Sequence, residues 1–182
     1  VKVLIEEDYA RAVKGGTGAA KVAGNYAASL YPALLAQKKG YRQLIWTDAL
    51  EHKYLEESGT MNIFVQIGDK VITPTLDQDT RLHGITRKSI IQLMKDKGIQ
   101  VEERRIAVQE VLDAYESGNL KDMFGAGTAA TIAHISEVGF RDKILTLPPV
   151  GERELSNGLL KDLDNIKKGR TEDTHNWLHH IK

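Results

Sequence analysis

Cysteine is absent from the sequence, which excludes a disulfide framework and thiolate chemistry. An excess of charge is also absent, because 25 basic residues balance 25 acidic ones. General nucleic-acid or membrane-surface binders carry a basic excess, so we expect neither kind of partner. The sequence has no apolar run near the ~18 residues of a membrane span, and no signal peptide is recognisable. From these absences we expect a cytoplasmic protein.

The length and composition are those of an ordinary globular domain. The 182 residues can enclose one sizeable core, and 41% of them are hydrophobic and 27% charged. The first residue is Val1 rather than methionine, and an apolar, β-rich segment begins at once. We therefore expect the chain to be cut from a longer protein.

The hydrophobic pattern mixes helices with strand pairs that resemble hairpins. The clearest hairpin joins residues 61–67 to residues 70–73 through a Gly-Asp turn. Other strands are predicted at 1–5, 43–47, 99–107 and 143–147, and residues 129–138 are predicted to form one strand or two. Helices are predicted at 25–39, 86–97, 108–117 and 152–168. Pro32 lies inside the first helix and indicates a kink or a later start. We expect an α+β domain with a mixed, largely antiparallel, barrel-like sheet flanked by helices.

One lysine stands among small residues in the stretch from Gly15 to Tyr26. Glycine lets the backbone approach another group closely, and Lys21 is the only charged residue of the stretch. An amine kept away from water can be reactive towards a carbonyl group. From this stretch alone, however, a surface lysine in a glycine-rich turn is the favoured interpretation.

Three later segments also have residues suited to chemistry. Glu57 is an acid placed directly before a tight turn and a buried strand. Residues 82–87 lead into a helix N-terminus, and residues 125–129 form a loop of small residues after a strand. Helix starts and such loops direct several backbone N–H groups the same way, which suits a phosphate. Neither segment matches the dinucleotide fingerprint or the P-loop, so NAD and ATP are poor candidates.

Pyridoxal 5′-phosphate is one ligand that would use all four segments. Its aldehyde needs a lysine such as Lys21, and its ring nitrogen needs a carboxylate. Its 3-oxygen favours a hydroxyl donor such as Tyr26. Its phosphate needs amide and hydroxyl donors without bulky side chains, as offered by Ile85, Thr86 and Thr128.

The four segments, in their order along the chain, resemble those of the C-terminal, larger domain of branched-chain amino-acid aminotransferases. These are fold type IV pyridoxal-phosphate enzymes. The resemblance covers essentially the whole chain, residues 1–182, and implies that the N-terminal domain of the enzyme is missing here. The motifs that carry it are Gly15-Gly16-Thr17-Gly18 with Lys21 and Gly24-Asn25-Tyr26, Glu57-Ser58-Gly59-Thr60-Met61-Asn62, Gly84-Ile85-Thr86-Arg87 and Gly125-Ala126-Gly127-Thr128-Ala129.

The resemblance implies a role for each matching residue. Lys21 would form the Schiff base with the cofactor and move the substrate proton. Tyr26 would hydrogen-bond the phenolic oxygen, and Glu57 would pair with the pyridine nitrogen. The phosphate would be bound by Ile85, Thr86 and Thr128. The substrate side would be lined by Thr60, Gly127 and Ala129.

The activity that the resemblance implies is transamination of leucine, isoleucine and valine with 2-oxoglutarate, giving branched-chain 2-oxo acids and glutamate. The enzyme would be a homodimer that also needs its own N-terminal domain. Two alternatives stay open. One is another enzyme of the same fold, a D-amino-acid aminotransferase or an aminodeoxychorismate lyase. The other is an isolated domain without activity of its own.

Three positions depart from the family pattern. His83 stands where the family usually has a proline, and Ala130 and Ala133 stand where some relatives have a redox-sensitive cysteine pair. No metal site is expected. The partial metal-ligand spacing of His175, His179 and His180 is better explained by a frayed polar tail, because no carboxylate–histidine cluster accompanies it.

Overall fold

The structure is a computed structural model, and it describes residues 1–179 and 181. It combines ten strands with five α-helices and a short 3-10 turn at Val150–Glu152. In chain order the elements are β1 (Lys2–Ile5), α1 (Ala23–Ala27), α2 (Leu30–Lys38), β2 (Gln43–Thr47), β3 (Leu55–Ser58), β4 (Met61–Ile67), β5 (Lys70–Thr73), α3 (Ile85–Asp96), β6 (Val101–Glu103), α4 (Val108–Glu116), β7 (Leu120–Gly127), β8 (Thr131–His134), β9 (Glu137–Phe140), β10 (Lys143–Thr146) and α5 (Glu154–Lys167).

All ten strands belong to one mixed sheet, in the order β10-β9-β1-β2-β3-β4-β5-β6, with β7 and β8 branching from β4. Most neighbours are antiparallel, and the parallel pairs are β1 with β2, β1 with β9 and β5 with β6. β4 pairs with β3 at its start, with β5 at its end and with β7 along its other edge. The α+β class and the largely antiparallel, barrel-like sheet are therefore confirmed.

The two faces of the sheet support two separate cores, because side chains alternate along each strand. Ile63 and Val65 of β4 lie in one core with apolar residues of β1, β2, β9 and α4. Phe64 points to the other face, where its ring stacks on Phe124 of β7 with centroids 5.1 Å apart. Helices α3 and α5 cover that second core. The start of α3 is thereby fixed near the paired ends of β4 and β7.

Three predicted elements need correction. The helix at 25–39 is two helices, and Pro32 lies in the first turn of α2, where a missing N–H costs no intrahelical bond. The strand at 99–107 is only three residues long, because its pairing with β5 ends at Glu103 and the chain bends at Arg104. Residues 125–127 are the end of β7 rather than a loop, because they pair with β8.

The C-terminal segment packs on the domain instead of fraying. The ring of His175 lies 2.6 Å from a carboxylate oxygen of Asp96 and stacks on Trp177. Leu178 packs against the core under α3 and α5. His180 lies outside the described residues, and within the described part of the chain no group of three or more metal-ligating side chains is found. Within that same part, no helix combines the length and the apolar character needed to cross a membrane.

Candidate active site

A cavity of about 570 Å³ lies where the start of β4, the end of β7 and the start of α3 meet. The register of β4 with β7 places Asn62 opposite Ala126, which brings the β3–β4 turn beside the turn after β7. Most of the predicted site residues line this cavity, namely Lys21, Thr60, Ile85, Thr86, Gly127, Thr128 and Ala129. Four stretches that are far apart in the sequence therefore meet at one place.

Lys21 lies on a loop that is fixed by its neighbours. The amide of Asn25 donates hydrogen bonds to the carbonyl oxygens of Thr17 and Ala20, both at 2.9 Å, and its oxygen accepts one from the Thr17 hydroxyl at 2.7 Å. These bonds close the loop just before the lysine. Lys21 itself is exposed, which corrects the expectation of a desolvated amine.

Glu57 is buried directly behind one wall of the cavity. One of its oxygens accepts a hydrogen bond from the backbone N–H of Leu82 at 3.0 Å, and Leu82 lines the cavity. Its other oxygen lies 2.8 Å from Nε of Arg11. Glu57 also pairs with Asn62 across β3 and β4, and Asn62 bonds the carbonyl of Leu82. The carboxylate is thus held beside the cavity, although it does not line it.

Burial changes the acidity of this carboxyl. The loss of hydration raises the pKa of Glu57 to about 7, and the Arg11 guanidinium and the Leu82 N–H act in the opposite direction. Its neighbour Glu56 is buried as well, paired with Arg81 and bonded by the hydroxyl of Thr80. Glu56 is therefore a buried partner of Arg81 rather than a solvated acid.

The side of the cavity formed by α3 offers free backbone donors. Gly84, which precedes the helix, provides no side-chain cap, and the first turn contains no acidic residue. The first N–H groups of a helix have no partner within the helix, so they favour an anion. Thr86 adds a hydroxyl, and Thr128 begins the turn between β7 and β8 on the facing wall.

Tyr26 is the one predicted residue that the structure leaves away from this assembly. It lies in α1, is partly buried and does not line the cavity. In contrast, Arg11 is a site residue that sequence reasoning missed. It belongs to a polar segment without a recognisable pattern, and its contacts with Glu57 and Thr80 depend on the folded chain.

Gly18 is a position where the site tolerates no side chain. A Cβ there would lie 2.5 Å from the backbone carbonyl of Thr80, whereas a Cβ at Gly24 in α1 would meet no atom within 4 Å. We expect Gly18→Ala to lower the free energy of unfolding by about 2 kcal/mol through overpacking. Gly24→Ala should raise it by about 0.5 kcal/mol, because alanine favours a helix. Urea unfolding of both variants measures these free energies. Equal stability of Gly18→Ala and the wild type would contradict the close packing of Gly18 against Thr80.

The raised pKa of Glu57 has a consequence for stability in the absence of ligands. The pKa is about 7 in the folded state and 4.5 in a reference peptide, so the folded state binds the proton more tightly. The contribution of the Glu57 carboxyl to the free energy of unfolding is complete below pH 4.5. It decreases by about 3 kcal/mol as the pH rises towards 7. Urea unfolding of the wild type and of Glu57→Gln at several pH values across this range measures the effect. The free energy of unfolding of the wild type should decline relative to that of the variant as the pH rises. Parallel curves for the two proteins would refute it.

Comparisons with known proteins agree with this fold. The sequence profile described as amino-transferase class IV matches residues 3–138. The chain therefore belongs to the class IV aminotransferases. It is 45% identical over 176 residues to a probable branched-chain-amino-acid aminotransferase of Staphylococcus epidermidis, and this match covers 97% of the chain and 49% of that protein. It is 44% identical over 177 residues to branched-chain-amino-acid aminotransferase 2 of Bacillus subtilis, covering 97% of the chain and 48% of that protein.

Solved structures show the same fold. The branched-chain amino acid aminotransferase from Escherichia coli superposes with a TM-score of 0.81 at 27% identity, covering 99% of this chain and 57% of that one. The branched-chain aminotransferase from the archaeon Thermoproteus uzoniensis, solved with norvaline, has a TM-score of 0.80 at 26% identity, covering 98% of this chain and 55% of that one. The chain spans about half the length of the curated relatives it matches.

Proposed function

We propose that this chain is the cofactor-binding part of a pyridoxal-phosphate-dependent branched-chain amino-acid aminotransferase. The enzyme transfers the amino group of leucine, isoleucine or valine to 2-oxoglutarate. The observation that carries the proposal is the single cavity that contains Lys21, the uncapped start of α3 and the Thr128 turn, with Glu57 behind its wall. The names of the relatives support the choice of substrates.

The residues present fit pyridoxal phosphate. The cavity is lined by the amine of Lys21 and by the anion-binding start of α3, and the buried carboxyl of Glu57 lies behind its wall. Its volume is within the roughly 300–1,000 Å³ of small-molecule sites. Two glycines of the lining are packed closely against the protein, because a Cβ at Gly84 would collide with Oδ1 of Asn62 and one at Gly127 would lie 3.3 Å from the carbonyl of Thr60.

When bound, pyridoxal phosphate supplies an aldehyde carbon for an amine and a pyridinium ring that withdraws electrons from the substrate. Lys21 would hold the cofactor through its amine and would serve as the general base that moves the proton of the substrate Cα. Glu57 would act as the carboxylate that keeps the ring nitrogen protonated, and the guanidinium of Arg11 favours this charged form of the carboxyl. Tyr26 would donate a hydrogen bond to the phenolic oxygen, for which its hydroxyl would have to reach the cavity.

The other predicted site residues would bind the cofactor phosphate and the substrate. The N–H groups of Ile85 and Thr86, with the hydroxyls of Thr86 and Thr128, would bind the phosphate. The substrate side is formed by Thr60, Gly127 and Ala129. Small side chains there leave space for a branched aliphatic group, which gains about 25 cal/mol for each Å² of apolar surface that it buries.

The rest of the enzyme is also part of the proposal. The relatives are about twice as long as this chain, and we infer that residues 1–182 form the C-terminal domain. An N-terminal domain would complete the substrate pocket. The enzyme would act as a homodimer in the cytoplasm, in keeping with a sequence without cysteine.

An assay of the complete protein that contains this chain tests the function. With pyridoxal phosphate and 2-oxoglutarate present, we expect glutamate to form from leucine, isoleucine and valine at a higher kcat/KM than from other amino acids. D-alanine is the comparison substrate. Preference for D-alanine, or no transfer from any amino acid, would overturn the proposal.

A further inference from the structure

Arg11 is the point where three segments of the site meet. Its Nε lies 2.8 Å from a carboxylate oxygen of Glu57, and its Nη1 donates a hydrogen bond to the carbonyl of Thr80 at 2.8 Å. Both terminal nitrogens also lie 3.4 Å from the carbonyl of Gly18. The side chain is only 7% exposed, so these contacts replace nearly all of its hydration. One side chain thereby joins the lysine loop, β3 and the loop that leads into α3.

Only an arginine can make this set of contacts. A guanidinium presents five N–H donors in a fixed plane, whereas a lysine presents a compact charge at the end of a flexible stem. Nε is directed at the carboxylate while the terminal nitrogens contact two backbone carbonyls. A buried charge without such partners would strongly destabilise the fold.

The segments that Arg11 joins are the ones that must keep a fixed distance. Gly18 belongs to the loop that carries Lys21, and Thr80 precedes Leu82, whose N–H binds Glu57. The backbones of Gly18 and Thr80 are already so close that no Cβ fits between them. Arg11 therefore fixes the two loops to each other and to the carboxylate at once.

We propose that Arg11 is a positioning residue of the active site, which holds Glu57 as an oriented carboxylate and ties the loop of Lys21 to the loop that leads into α3. This inference rests on the proposed function. Arg11 acts on the chemistry through Glu57 and Lys21, since it does not line the cavity itself.

The charge of Arg11 has a direct effect on its partner. Burial raises the pKa of Glu57, and the guanidinium lowers it. Without the guanidinium the carboxyl would stay protonated through neutral pH and could not form an ion pair with a protonated ring nitrogen. The rate should then fall even in molecules that hold the cofactor.

The test compares Arg11→Met, Arg11→Lys and Arg141→Met in the complete protein. Methionine keeps bulk but removes charge, and lysine keeps charge but not the planar contacts. Arg141 is the control, because its side chain is 70% exposed and it pairs with Glu7 at the surface. The readouts are the pH midpoint of the Glu57 carboxyl in cofactor-free protein by ¹³C NMR, kcat, and the affinity for pyridoxal phosphate.

For Arg11→Met we expect the Glu57 midpoint to rise by at least about one pH unit and kcat to fall about a hundred-fold. Arg11→Lys should keep the midpoint near that of the wild type but bind pyridoxal phosphate about ten-fold more weakly, because the loops are no longer joined. Arg141→Met should leave all three readouts unchanged.

A stable Arg11→Met protein with an unchanged Glu57 midpoint would overturn the inference. If Arg11→Met does not fold, Arg11→Lys provides the test. An Arg11→Lys protein with wild-type cofactor affinity and wild-type kcat would refute the inference. The ¹³C titration needs no cofactor, so it tests the link between Arg11 and Glu57 even if the assigned activity is wrong. Failure of the proposed function would appear instead as a wild-type protein that transfers no amino group.

Discussion

Replacing Lys21 with alanine is expected to lower the rate of amino transfer by at least about a thousand-fold, because the enzyme loses both its anchor for the cofactor and its general base. Among the described residues that line the cavity, Lys21 is the only one with an amine side chain. No neighbouring lysine can therefore take its place without moving the loop. The measurement is kcat with leucine in the complete protein, together with the visible absorption of bound cofactor.

Lys14→Ala is the matched control for this prediction. Lys14 is exposed, lies on the same stretch of chain before the glycine segment and does not line the cavity. This variant should keep both the rate and the absorption band. A Lys21→Ala enzyme that transfers the amino group of leucine at the wild-type rate would remove the basis of the proposed mechanism.

Glu57→Gln is expected to lower kcat about a hundred-fold while the enzyme still holds most of its cofactor. Glutamine has the same shape and can still accept the N–H of Leu82, so the wall of the cavity should persist. It carries no charge, however, and cannot keep a proton at the ring nitrogen. Separate measurements of kcat and of the cofactor dissociation constant distinguish this loss of rate from a loss of binding.

The adjacent acid provides the control for Glu57. Glu56 is also buried, but it bonds Arg81 and Thr80 rather than the wall of the cavity. Glu56→Gln should lower the free energy of unfolding, because it leaves a buried guanidinium without its counter-charge. It should leave kcat per folded molecule within about two-fold of the wild type, as expected for a residue outside the reacting groups. An unchanged kcat in Glu57→Gln would contradict the role of this carboxyl.

The motifs were sufficient to predict which segments of the chain come together. Lys21, Thr60, Thr86 and Thr128 belong to separate motifs, and the structure brings all four to one cavity. The α+β class and the main hairpin followed from alternation and turn residues, which act locally. Such signals survive in a single sequence because each depends on near neighbours in the chain.

What the sequence could not predict depends on contacts between distant segments. Arg11 and Glu57 meet only because β3 and the loop before Lys21 converge in the fold. The strand 99–107 was predicted too long, since alternation alone cannot show that the pairing with β5 ends at Glu103. The packing of Leu178 onto the second core was hidden for the same reason, because its partners lie on α3 and α5.

The most direct test of the account is the covalent position of the cofactor. The complete protein is saturated with pyridoxal phosphate, reduced with sodium borohydride, digested and analysed by mass spectrometry. We predict that the phosphopyridoxyl group is found on the peptide that contains Lys21, at the side chain of that residue. Attachment at a different lysine, or no attachment in protein that binds the cofactor tightly, would contradict the central claim.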